Sequence, residues 1–76
     1  MEIKEEVLIR SLLDTDNDLR RHYEEHVGLK QQLEELRQKL HLTEEEKAEE
    51  KRIQKQKLAE KDRIMEILAR HRQAAA

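Results

Sequence analysis

The chain has 76 residues, 45% of them charged and 1% aromatic, with one glycine and neither proline nor cysteine. Turn-rich β architectures need the glycine and proline that are scarce here, and disulfide scaffolds need cysteine, so this composition leaves long helices. Sixteen basic against 18 acidic side chains give a formal charge of −2, which excludes a surface tuned throughout to phosphate or anionic lipid but leaves room for local patches.

A chain this short forms one domain. Below about 70 to 80 residues a single core rarely supplies enough burial, and with disulfides closed off, oligomerisation is the expected remedy. The opening stretch MEIKEEVLIRSLLD mixes Glu2, Glu5, Glu6 and Arg10 into its short apolar run, unlike the continuous apolar region of a secretory signal. No span approaches the roughly 18 apolar residues of a membrane helix. The expectation is a soluble cytoplasmic protein.

The first predicted element is a short helix over 4–13. Its Val7, Leu8, Ile9, Leu12 and Leu13 form the densest apolar cluster in the chain. They have to be covered, either by the end of the hairpin that follows or by a second chain. Val7, Leu8, Leu12 and Leu13 are therefore candidates for self-association.

The run Asp14, Thr15, Asp16 and Asn17 breaks this helix, because its side chains compete for backbone hydrogen bonds and offer N-caps to the next element. That element is predicted over 17–40. Leu19, His22, His26, Leu29, Leu33, Leu36 and Leu40 recur at spacings of three and four, a heptad seam that faces a partner helix. Glu35 and Lys39 stand four apart in the favourable order for an exposed pair. Gly28 lies off the seam, where glycine costs about 0.8–1 kcal/mol relative to alanine, and close helix approach is one reason to keep it.

The second break is HLTEEE. Thr43 and Glu46 have capping-box spacing, with Leu42 placed as a hydrophobic staple. The last helix is predicted over 44–72 with a frayed tail over 73–76. Its acidic start and its basic end at Arg70 and Arg72 complement the helix dipole. A short turn makes the two long helices an antiparallel hairpin, and the fold class is all-α.

Lysines interrupt the apolar stripe of the last helix. Ile53, Leu58, Ile64, Met65, Ile67 and Leu68 occupy a broad arc, and Lys57 and Lys61 project from its middle. On the facing helix, His22 and His26 stand between leucines. A turn centred near Leu42 sets His26 beside Leu58 and His22 beside Asp62, which gathers His22, Tyr23, His26, Lys57, Lys61 and Asp62 into one polar layer between two apolar clusters. Two readings stay open for the lysines. They fix register or oligomer state, as polar core residues do in coiled coils, or their stems lie along apolar surface while the ammonium groups reach water. The histidines stand four apart, but a metal site would need further ligands from Asp62, a glutamate or a symmetry mate. No metal, cofactor or catalytic residue is expected. Near two lysines, the histidines should resist protonation.

The order of a leucine-rich start, YEEH, LTEEE and KRIQKQKLAEKDRI resembles the YdcH-like family of small bacterial proteins, whose function is unknown. The likeness runs from about Glu6 to Arg72. Its most specific part is Lys55 to Leu58 with Lys61, Asp62 and Ile64 after it, where the family form is K-x-K-L-x-L-K-D. Glu60 stands where the family usually has an apolar residue. The resemblance implies an all-helical hairpin without an established activity, and it puts His26, Lys57, Lys61 and Asp62 on motif positions.

Function is then expected to be non-enzymatic: a structural or protein–protein interaction module that pairs as a homodimer, with room for an unidentified protein partner and no membrane contact. The alternative is nucleic-acid binding through the last helix, where Lys51 to Arg63 holds six basic residues against Glu60 and Asp62. No nucleic-acid motif accompanies that run.

Overall fold

Capping chemistry local to each break sets where the long helices begin. The structure is a computed structural model and describes residues 2–75. The described residues form α1 (Ile3–Leu12), α2 (Asn17–Arg37) and α3 (Glu44–Ala75). Asp16 caps α2 by accepting the Leu19 backbone N–H at 3.0 Å, which satisfies one of the orphan donors of the first turn. The predicted capping box opens α3: the Glu46 N–H donates to Thr43 Oγ1 at 3.1 Å, and the Thr43 N–H donates to Glu46 Oε1 at 3.0 Å. Leu42, placed as a staple, packs instead with Leu33, Leu36 and Ile53.

Two boundaries differ from expectation. α2 ends at Arg37 rather than Leu40, because the backbone tightens there and the Lys39 N–H reaches back only three residues, to the Leu36 carbonyl at 3.2 Å. Leu40, expected on the seam, lies in the turn and is 95% exposed. Lys39 also leaves the helix; instead of pairing with Glu35 it crosses the turn to Glu46. That neighbour holds the Lys39 ammonium above its usual range, and Lys39, with the Thr43 N–H, holds the Glu46 carboxyl below its own. At the other end α3 runs on through Ala75, so the tail expected to fray is helical over its described part, and Ala76 lies outside the described residues.

α2 and α3 form the antiparallel hairpin, and α1 folds back over its open end. There Ile9, Leu19, Ile64, Ile67 and Leu68 are buried, with Leu8, Leu12, Leu13, Tyr23 and Met65 packed around them. Toward the turn a second, smaller cluster joins Leu33, Leu36 and Ile53, flanked by Leu29 and Leu42. Of the four side chains put forward for self-association, Leu8, Leu12 and Leu13 therefore turn into the chain's own core. Only Val7, 63% exposed, stays on the outside of α1 beside Ile3. The physical reason is the short break at residues 13–16, whose Thr15 and Asp16 N–H groups both return to the Leu12 carbonyl and reverse the chain onto the hairpin.

The whole spans 49 × 20 × 16 Å. Among the described residues no helix is long and apolar enough to cross a membrane. Close approach does not explain Gly28, since a Cβ built there meets nothing within 4 Å.

Candidate functional site: a polar layer across the hairpin

The two apolar clusters leave a gap, and the side chains filling it include both seam histidines. His22 Nδ1 donates to Glu60 Oε2 at 2.5 Å, with both side chains about four-fifths buried. Because a carboxylate only accepts, this bond fixes the proton on Nδ1. His26 Nδ1 donates to the Lys57 carbonyl at 3.3 Å. Burial pushes the His26 imidazole below its ordinary range. The Lys57 carbonyl opposes that shift, and the ammonium charges of Lys57 and Lys30 add to it. His26 thus sits in the folded chain as a neutral donor.

Tyr23 completes the layer from the other flank of α2. Its hydroxyl donates to Glu6 Oε2 of α1 at 3.3 Å, and burial first, then the Glu6 charge, raises the phenol above its usual value. Glu6, Tyr23, His26, Val27 and Lys30 line an open cleft of about 270 Å³ where α1 meets α2. Next to the layer, the buried Oε1 of Gln54 has no hydrogen-bond partner.

Of the expected members, His22, Tyr23 and His26 make contacts between helices, and Lys57 takes part through its backbone carbonyl. Asp62 lies exposed on the outer side of α3, and Glu60 takes the place beside His22. Helical phase is the cause: Glu60 stands four residues before buried Ile64 and seven before buried Ile67, on the face of α3 that meets α2, whereas Asp62 stands two before Ile64, about 200° around the helix. His22 therefore meets a carboxylate, and of the two expected lysines only Lys57 acts on His26, joined by Lys30. Lys57 and Lys61 are half-buried, and neither has an ion-pair partner among the described residues.

A third tie closes the open end and was not read from the sequence. His71 Nε2 donates to Asp16 Oδ2 at 2.7 Å while Asp16 Oδ1 caps α2. His71 and the Leu19 N–H together hold the Asp16 carboxyl below its usual range. Asp16 carried a local signal as an N-cap; His71 carried none, because its partner lies 55 residues away. Glu60 did carry one, as the acid interrupting an otherwise apolar motif position.

Chemically, the layer holds helices together. Each of its imidazoles and its phenol is already bonded within the chain, and among the described residues no three His, Asp or Glu side chains converge as metal ligands. These features define an all-α protein built as a helical hairpin with a covering N-terminal helix. Comparison with protein-family models, with curated proteins and with solved structures gave no match to this chain.

Proposed function

We infer that this protein is a non-enzymatic structural or protein–protein interaction module, acting in the cytoplasm, whose helical hairpin self-associates as a homodimer. The YdcH-like resemblance implies the same all-helical hairpin. One observation carries the reading: the described residues bury only eight apolar side chains, while Ile3, Val7 and Leu58 stay at the surface of a thin rod. A core of that size stabilises a fold weakly, and association adds the missing burial. A further protein partner would meet the same outer surface, since the polar layer is engaged internally.

Sedimentation equilibrium tests it. A dimer is expected, and a monomer at high micromolar concentration would sink the reading. In the same experiment the double variant Lys57→Leu, Lys61→Leu separates the two roles of the lysines. A shift to mixed oligomers supports register setting, whereas an unchanged dimer leaves them as stems lying along apolar surface.

A second reading rests on α3, where Lys51, Arg52 and Lys55 are exposed and have no ion-pair partner among the described residues. If α3 serves an RNA or DNA backbone, binding falls steeply as salt rises. Absence of binding at low salt removes this alternative.

A further inference from the structure

We propose that the partner is a second copy of this chain, docked through the outer face of α1 (Ile3 and Val7) onto the Leu58 stripe of α3, each copy covering the other. The inference rests on the self-association reading above and specifies its surface.

The first argument is area. A folded monomer of 9.2 kDa is expected to expose about 4,900 Å², whereas this chain exposes 6078 Å², an excess of about 1,100 Å². A standard protein interface removes about 800 Å² from each partner. The excess is thus of the size that one such contact covers.

The second argument is placement. Ile3 and Val7 stand four apart on α1, hence on one face, and are 83% and 63% exposed. Glu6 reaches Tyr23, so the N-terminal half of α1 lies along the flank of α2 that carries Tyr23. Met65 packs into the cluster that α1 covers, and Leu58, 49% exposed, lies two turns before it on the same stripe of α3. In an antiparallel pair these two flanks form one side of the hairpin. α1 covers that side near the open end, and the Leu58 stripe stays bare beyond it.

Symmetry is the third argument. A twofold axis satisfies both contacts at once, because what one copy presents the other receives, and the pair closes without open-ended growth.

The test compares Val7→Asp, Leu58→Asp and Leu40→Asp with the wild type by sedimentation equilibrium, with circular dichroism to verify helix content. Leu40 is the control, equally apolar and 95% exposed but in the turn. A carboxylate at either interface position should weaken dimerisation by about tenfold or more, and the Leu40 variant should match the wild type. If the wild type dimerises and both interface variants dimerise equally well, the surface is wrong. Weakening by the Leu40 variant alone would overturn it too, moving the contact to the turn. A monomeric wild type instead removes the underlying self-association reading.

Discussion

The two ends of the hairpin are built from the same kinds of side chain and differ in how completely they close. At the open end three helices meet, and Ile9, Leu19, Ile64 and Leu68 have no exposed surface. At the turn end two helices meet, and Leu36 still shows 8%. A two-helix contact buries one stripe from each partner and leaves the edges wet, whereas a third helix laid over the groove seals it. The leucines of α1 therefore act as the missing third side of the core.

The largest expected effect contrasts these ends directly. Ile64→Ala should cost about 2–5 kcal/mol and Ile53→Ala less, because the looser turn end relaxes around the lost volume; equal losses in urea denaturation would show that the two clusters are equally packed. Next come the caps. Asp16→Ala and Thr43→Ala should each cost about 0.5–2 kcal/mol, with Asp16→Ala the larger since it also releases His71 on α3. The opposite order would mean that the His71 tie contributes nothing.

Gly28→Ala removes a helix breaker where a methyl group meets only open space, so it should stabilise the fold by about 0.8–1 kcal/mol. A loss would reveal a neighbour at that face, such as a bound partner. The smallest effect is a pH slope. His26 titrates lower in the folded than in the unfolded chain, so as pH falls below about 6.5 the unfolded state takes up its proton first. Stability should decline from there until the folded His26 also protonates, and His26→Gln should flatten that part of the curve.

Much of the architecture was legible because it depends on near neighbours. The Thr43 and Glu46 box and the Asp16 cap span three residues each, and the leucines of α2 repeat with a period that needs no knowledge of the partner. What failed was non-local. Leu40 satisfies the heptad but falls beyond the last helical turn, since periodicity does not say where α2 stops facing α3. Pairing by height alone also placed Asp62 in the layer, where the helical phase of α3 presents Glu60 instead. The pairing of His71 with Asp16 joins the two ends of the hairpin and leaves no trace in either neighbourhood. α1 was legible as a helix that needs cover, with the hairpin end and a second chain as alternatives, and Leu8, Leu12 and Leu13 take the first.

Tyr23 gives this fold an optical consequence. It is the sole tyrosine in a chain without tryptophan or phenylalanine, and it stands where α1 touches α2, hydrogen-bonded to Glu6. Ultraviolet emission from the unlabelled protein therefore reports on that single junction, while circular dichroism is dominated by the long helices. Melting curves recorded by the two signals would superimpose if α1 leaves with the rest of the fold, and would separate if it detaches first.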